Sequence, residues 1–143
     1  MNLVSRLAGP VTIAAIVVLI ATGNFYSPSA LVIACQAAAV AVAIWARRAF
    51  ARGQFAATAT PRGEAVIRRG PYRVIRHPMY ASALLLIWAT VLSHWSVLCA
   101  AVGAVASLVA VVRILDEERQ LRARYPDYGE YARSTKAVVP YLL

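Results

Sequence analysis

The sequence has two long stretches that contain no charged residue. No Asp, Glu, Lys or Arg occurs within residues 7–46 or within residues 77–112. Each stretch is roughly twice the ~20 residues that a helix needs to cross a bilayer. The chain of 143 residues is 61% hydrophobic, which exceeds the roughly 45–50% apolar share of soluble domains. These features predict an integral membrane protein.

The missing charges also exclude classes of function. Proton-coupled transporters and small multidrug pumps need an ionisable side chain inside the membrane. The two uncharged stretches supply no carboxylate, so transport is disfavoured. The sequence has two cysteines, Cys35 and Cys99, and neither lies in a CxxC or Cys/His spacing. We interpret both as small apolar residues and predict neither a metal site nor a disulfide.

Each uncharged stretch is interrupted near its middle by residues typical of turns, GNFYSPS at 23–29 and LSHWS at 92–96. The predicted fold is all-α, a polytopic membrane protein with four transmembrane helices in two hairpins. The predicted spans are residues 7–23, 29–46, 79–93 and 95–113. A secretory signal is the alternative for the first span, but that segment continues through a turn into a second apolar segment without a clear cleavage site.

The basic residues lie on one side of this topology. One Lys or Arg precedes the first span, eight lie between the hairpins and six follow the fourth span, whereas the two turns have none. The positive-inside rule therefore predicts that both termini and the central loop face the cytoplasm. We predict a single domain (1–143) in the cell or inner membrane. Its parts are an N-terminal hairpin (1–46), a basic loop (47–78), and a second hairpin with a cytoplasmic C-terminal helical segment (79–143).

The net charge of +9 follows from this distribution. A basic patch attracts phosphates, and nucleic acid is one source of them. Arginines placed next to membrane spans are more simply explained by anionic lipid headgroups. The predicted partners are therefore membrane lipids, and no nucleic-acid partner is predicted.

The first cluster of polar chemistry is GPYRVIRHPMY, residues 70–80. Gly70 and Pro71 predict a turn. Pro78 restricts His77 to an extended backbone and is acceptable as the first residue of the third helix. The His77 ring is thus placed at a helix N-terminus, where backbone N–H groups and the helix dipole favour an anion. In the alternative interpretation, His77 and Tyr80 only anchor the helix at the membrane interface.

The second cluster follows the fourth span, from Arg113 through YPDYGEY at residues 125–131. Arg113 and Glu117 are spaced i, i+4, so they share one helix face. If the helix continues past the membrane, this face can turn toward the loop that carries His77. The alternative is a solvated amphipathic helix with surface ion pairs.

Together the two clusters resemble the isoprenylcysteine carboxyl methyltransferase and phospholipid methyltransferase superfamily. The resemblance covers roughly residues 60–143. It is carried by GPY and RHPMY opening a membrane helix, a short helical hairpin, an EE pair with Leu121 three residues on, and YPDYGEY followed by Pro140. No single element is specific, and their order and spacing carry the similarity.

The resemblance implies an integral-membrane enzyme that uses S-adenosylmethionine. It assigns cofactor contacts to Tyr72, His77, Pro78, Met79, Tyr80, Glu117 and Glu118, and to an upstream segment from Glu64 to Ile67. It also implies that Arg113, four residues before Glu117, binds an acceptor carboxylate. The sequence departs from the family where a glycine is common after the motif tyrosine, because Ala81 and Ser82 stand there.

Three functions remain open from the sequence. The first is carboxyl O-methylation of an isoprenylcysteine-like lipophilic acceptor, which Arg113 favours. The second is N-methylation of an aminophospholipid such as phosphatidylethanolamine, which needs a base to remove the ammonium proton. The third is a non-enzymatic scaffold whose basic loop binds anionic lipid. The sequence predicts neither the acceptor nor the oligomeric state.

Overall fold

The structure, a computed structural model, describes residues 3–50 and 66–138, with side chains from residue 9 onward. Within these residues it contains five α-helices, one 3-10 turn and no strand. The α-helices are α1 (Leu3–Ala21), α2 (Ala30–Arg48), α3 (Pro78–Ser93), α4 (Val97–Arg124) and α5 (Tyr128–Ser134), and the 3-10 turn is Gly70–Arg73. The prediction of an all-α protein is therefore confirmed.

Two helices, α2 and α4, are long and apolar enough to cross a membrane. The apolar part of α1, Gly9–Ala21, and the whole of α3 are shorter apolar helices. The four-span topology and its orientation therefore stay predictions. Helix α4 ends 11 residues beyond the predicted boundary at Arg113, so about 16 Å of helix extends past its apolar part.

Local sequence explains where the helices of the second hairpin begin. Pro78 is the first residue of α3, where its missing N–H costs nothing and its fixed φ suits a helix. Ser96 precedes α4, and its side chain accepts a hydrogen bond from the backbone N–H of Cys99 at 3.1 Å. This is the usual N-cap arrangement of a serine. The start of α3 is thus set by a proline and the start of α4 by a serine cap.

The helices do not pack in the order of the sequence. Helix α2 packs chiefly against α3, and α1 packs chiefly against α4. The buried cluster that joins α1 to the second hairpin is Ala15, Leu19, Ile87, Val91, Cys99 and Ala106. Each N-terminal helix therefore has its main partner in the other hairpin.

Polar side chains link the apolar helices at two places. Gln36 of α2 donates from Nε2 to the Thr90 hydroxyl of α3 at 3.1 Å and to the carbonyl of Phe25 at 3.0 Å. Trp88 of α3 donates from Nε1 to the Ser107 hydroxyl of α4 at 2.9 Å. Such bonds between membrane helices contribute on average about 0.6 kcal/mol each. They fix the rotation of α3 relative to both neighbours.

Gly103 of α4 allows the close approach of α3. A Cβ at this position would lie 3.3 Å from both Trp88 Cζ2 and Val91 Cγ2. We expect Gly103→Leu to overpack the contact and destabilise the protein by about 1–3 kcal/mol. The measurement is the thermal midpoint in detergent. The control is Val105→Leu on the same helix, because Val105 is 53% exposed. Equal midpoints for the two variants would contradict the close contact.

Candidate active site

Polar residues converge where α3 begins and where α4 leaves its apolar part. Their centre is the carboxylate of Glu118. Its Oε1 accepts hydrogen bonds from Arg76 Nε at 2.7 Å and from the Tyr128 hydroxyl at 2.9 Å, and lies 3.1 Å from His77 Nε2. Its Oε2 accepts from Arg122 Nη2 at 3.2 Å. We call these five residues the Glu118 cluster.

The surroundings of Glu118 keep it ionised. Burial by itself raises the pKa of this carboxyl, but hydrogen bonds from His77, Arg76 and Tyr128 outweigh burial and lower the pKa to about 2. Glu118 lies beyond the apolar part of α4, at the polar end of the bundle. A carboxylate with this many donors is a fixed negative charge around which the neighbouring cations are ordered.

His77 lies between two glutamates. Its Nδ1 is 3.5 Å from Glu117 Oε2 and its Nε2 is 3.1 Å from Glu118 Oε1, and the residue is 5% exposed. Burial lowers the pKa of the imidazole, but the hydrogen bonds and charges of the two glutamates outweigh it and raise the pKa above its ordinary value. The protonated ring donates from both nitrogens. In that form His77 is a poor general base.

Arg113 and Tyr80 form the side of the site nearest the apolar bundle. Arg113 is 6% exposed, and its guanidinium carbon lies 5.8 Å from the centre of the Tyr80 ring. Glu117 and Arg113 both lie close enough to the Tyr80 hydroxyl to affect it electrostatically. A Cβ added to Gly9 of α1 would lie 3.9 Å from Arg113 Nη1. Helix α1 therefore reaches the same site as α3 and α4.

An apolar cluster borders the polar groups. It comprises Ala46, Ala49, Phe50, Ile67, Tyr72 and Met79. The rings of Phe50 and Tyr72 meet edge to face, with centroids 5.5 Å apart. Burial first, and then the charge of Glu117, raise the pKa of the Tyr72 hydroxyl above its ordinary value. Tyr72 therefore belongs both to the apolar cluster and to the electrostatic environment of Glu117.

The C-terminal residues fasten onto the loop that carries His77. Lys136 accepts from the Arg76 backbone N–H at 2.8 Å and donates its own N–H to Val74 at 3.0 Å, and Ala137 accepts from the His77 N–H at 3.0 Å. The chain around Lys136 thus runs beside the loop as a short parallel bridge. The backbone of His77 is therefore held in place by the segment after α5, through the hydrogen bond to Ala137.

Sequence reasoning assigned no role to Arg76 or Tyr131. Arg76 donates to Glu118, and the Tyr131 hydroxyl donates to the Tyr72 carbonyl at 2.7 Å in a buried contact. One signal was available. Tyr125, Tyr128 and Tyr131 recur every third residue, and all three are buried together. Tyr128 and Tyr131 are spaced i, i+3 on α5, and this spacing indicates a packed face rather than a solvated one.

Comparison with known proteins identifies the family of the chain. The sequence model for phospholipid methyltransferases matches residues 26–128, which is more than half of the chain. The chain belongs to the phospholipid methyltransferase family. The predicted membership of the membrane methyltransferase superfamily is thereby confirmed. The matched residues include α2, α3, α4 and the loop with His77, whereas α1 precedes them.

A curated relative of this phospholipid methyltransferase family member is the cobalt-zinc-cadmium resistance protein CzcN of Cupriavidus metallidurans. The two are 37% identical over 78 residues, which are 54% of this chain and 36% of the relative. The chain thus aligns with little more than a third of that relative's length. No solved structure matches the chain.

Most of the residues that the family resemblance singled out lie together. Tyr72, His77, Pro78, Met79, Tyr80, Arg113, Glu117 and Glu118 surround one end of α3 and the adjoining part of α4. Ile67 joins them through the apolar cluster around Tyr72. Glu64 lies outside the described residues. Among the residues described, no group of three or more His, Cys, Asp or Glu side chains could hold a metal ion.

The raised pKa of His77 predicts a pH dependence of stability. The folded protein binds the proton more tightly than the unfolded chain, so the His77 contribution is complete below the ordinary histidine pKa of about 6.5. It is lost as the pH rises through the folded pKa. We therefore expect the thermal midpoint of the wild type to fall between pH 6 and pH 9 by more than that of His77→Gln. The control is His94→Gln, which should fall as the wild type does, and equal slopes in all three proteins would contradict the assignment.

Proposed function

We propose that the protein is an integral-membrane methyltransferase that uses S-adenosylmethionine and methylates a carboxylate on a lipophilic acceptor. Family membership supports methyl transfer. The observation that carries the choice of acceptor is the position of Arg113. Its guanidinium is buried where the apolar part of α4 ends, one helical turn before Glu117 and against the Tyr80 ring.

The residues present fit the cofactor. The Glu117 side chain is 23% exposed, against 14% for Glu118, whose two oxygens already receive the donors of the Glu118 cluster. Glu117 would therefore bind the cofactor's ammonium group or ribose hydroxyls. The apolar residues Tyr72, Met79 and Ile67 would bind its adenine ring. When bound, S-adenosylmethionine supplies a methyl group on a sulfonium centre.

The chemistry of the site favours a carboxylate acceptor. The guanidinium fork of Arg113 matches a carboxylate in two parallel hydrogen bonds and would hold it in one orientation. Orientation is the main requirement of an in-line transfer between two bound molecules. A carboxylate also attacks without losing a proton. This suits a site in which His77 faces a glutamate on each side, because its protonated ring would have no lone pair left to accept a proton.

N-methylation of an aminophospholipid is the second candidate. It is supported by the description of the matched family, which is that of phospholipid methyltransferases. This reaction requires removal of an ammonium proton, and Glu117 next to Tyr80 is the group that would accept it. The buried charge of Arg113 opposes an ammonium acceptor at the same place. Arg113 would then serve a lipid phosphate.

The proposed membrane position follows from the charges. The central loop and the residues after Arg113 carry almost all of the 15 Lys and Arg residues. With these on the cytoplasmic side, the site would lie at the cytoplasmic surface of the bilayer. The acceptor's lipid chain would remain among the apolar helices while its polar head reaches Arg113. Anionic lipids would contact the basic residues around it.

Cofactor binding can be tested with S-adenosylhomocysteine by calorimetry on detergent-purified protein. We expect Glu117→Gln to weaken binding by about 1–3 kcal/mol, the usual loss for a partner of a charged group. The control is Glu130→Gln, because Glu130 is exposed on α5. Full wild-type affinity in Glu117→Gln would contradict the assigned contact. Absence of binding by the wild type would instead support a non-enzymatic lipid scaffold.

Arg113→Lys separates the two acceptor classes. With a carboxylate acceptor, loss of the guanidinium fork should raise the acceptor KM and lower kcat/KM by roughly tenfold or more, since a charge-assisted pair is worth about 1.5–3 kcal/mol. Affinity for S-adenosylhomocysteine should stay within about twofold. The assay measures methyl transfer to a farnesylated cysteine analogue and to phosphatidylethanolamine. Arg119→Lys, at an exposed position of the same helix, is the control. Full activity of Arg113→Lys on the farnesylated cysteine analogue would reject the assignment of a carboxylate acceptor.

A further inference from the structure

Arg76 connects three separate parts of the chain. Its Nε donates to Glu118 of α4 at 2.7 Å. Its Nη1 donates to the carbonyl of Ala132 in α5 at 2.8 Å and also to the carbonyl of Thr135. The Arg76 side chain is 13% exposed, so these bonds lie largely out of water. The guanidinium thus fastens the α5 region to α4 from the residue directly before His77.

The bond from Arg76 to Glu118 has a direct effect on His77. Arg76 and His77 both contact Oε1 of Glu118, at 2.7 Å and 3.1 Å. The position of this one oxygen therefore determines where the Nε2 side of the imidazole is held. The opposite nitrogen of the same ring faces Glu117 at 3.5 Å. Because the imidazole ring is rigid, fixing the position of Nε2 also fixes the position of Nδ1. The contact of Nδ1 then orients Glu117.

We propose that Arg76 is a positioning residue for the cofactor site, because it fixes Glu118 and the C-terminal segment and thereby orients His77 and Glu117. This inference rests on the proposed function for the identity of the ligand. Arg76 does not itself bind the ligand in this arrangement, since its described donors are directed to Glu118 and to two backbone carbonyls. Glu118 acts in the same way, through His77.

Lysine cannot replace Arg76 in this role. The carboxylate and the two carbonyls are served by two different nitrogens of one planar guanidinium. A lysine ammonium is a single point of charge on a flexible chain and reproduces neither the spacing nor the plane. The other arginine of the cluster is not equivalent, because Arg122 contacts Glu118 from a side chain that is 54% exposed. Exposed pairs of this kind contribute little.

A double-mutant cycle tests whether Arg76 acts through Glu118. Full-length Arg76→Gln, Glu118→Gln and the double variant are titrated with S-adenosylhomocysteine. We expect each single change to weaken binding by roughly fivefold or more. The affinity of the double variant should be no lower than that of the single variant that binds less tightly, because the effects of coupled residues do not add. If the fold-losses of affinity in the two single variants multiply in the double variant, the proposal is overturned. So would wild-type affinity in Arg76→Gln.

The control pair is Arg68→Gln with Asp127→Asn. Arg68 and Asp127 also join the loop before α3 to the start of α5, but their side chains are 43% and 61% exposed. Breaking this pair tests simple docking of the C-terminal segment without touching Glu118. We expect affinity within about twofold of the wild type, as is usual for exposed pairs. A loss as large as that of Arg76→Gln would assign the effect to docking alone and overturn the positioning role.

A second readout is the titration of the histidine rings by NMR in detergent. The chain has two histidines, His77 and His94, so the signals are few and His94 is an internal reference. The groups that surround His77 are Glu117 and Glu118 of α4, Tyr80 of α3, Arg76 beside it, and Tyr128 of α5 through Glu118.

In Arg76→Gln a cation leaves the neighbourhood of His77, and Glu118 depends more on the imidazole. We therefore expect the pKa of His77 to rise further. A general loss of structure would instead move the His77 pKa toward about 6.5, and that result, or no change, would overturn the proposal. This titration needs no ligand. If the wild type fails to bind S-adenosylhomocysteine, the proposed function falls, while the NMR result still decides the role of Arg76.

Discussion

The ionised carboxylate of Glu118 is the contact on which the polar end of this molecule depends. A negative charge in a half-buried position is costly unless several donors compensate it. Here Arg76 and His77 from the loop before α3, and Tyr128 from α5, converge on one oxygen of a residue in α4. The loop before α3, the end of α4 and the start of α5 are therefore assembled around one charge. Removing that charge would leave the Arg76 guanidinium and the His77 ring without their shared acceptor.

The membrane imposes the second constraint. Apolar helices cannot hold an ion pair of this kind in their interior without large cost. The polar chemistry is therefore confined to one end of the bundle, where α4 continues beyond its apolar part. Arg113 lies at the boundary between the two regions and is buried there against Tyr80. Under the proposed function, a site at this boundary would contact both the lipid chain of the acceptor and a water-soluble cofactor.

The two adjacent glutamates occupy different environments. Glu118 faces the donors of its cluster, whereas Glu117, the residue before it, lies near Tyr80, Tyr72 and His77. Successive residues of a helix point about 100° apart. Glu118 can therefore stabilise the fold while the carboxylate of Glu117 remains partly accessible.

Much of the fold was determined by the sequence alone. Uncharged runs interrupted by turn residues predicted the helices α1 to α4 close to their observed positions, except that α4 continues 11 residues past its predicted end. Apolar length and turn chemistry are local properties, whereas the polar extension of α4 carries no such signal. The order of the RHPMY and EE motifs predicted the family. The shared face of Arg113 and Glu117 also followed from spacing within one helix.

Only the tertiary structure decided which helices pack together and how the motifs meet. The pairing of α1 with α4 and of α2 with α3 is not readable from apolar stretches of similar composition, since lipid and helix surfaces are equally apolar. The contact of His77 with Glu118 joins residues 41 positions apart, and that of Arg76 with Thr135 joins residues 59 apart. No local sequence pattern predicts contacts between residues so far apart in the chain. The contact with Glu118 depends on the rotation of α4 about its axis. That rotation is set by packing along the whole length of the helix.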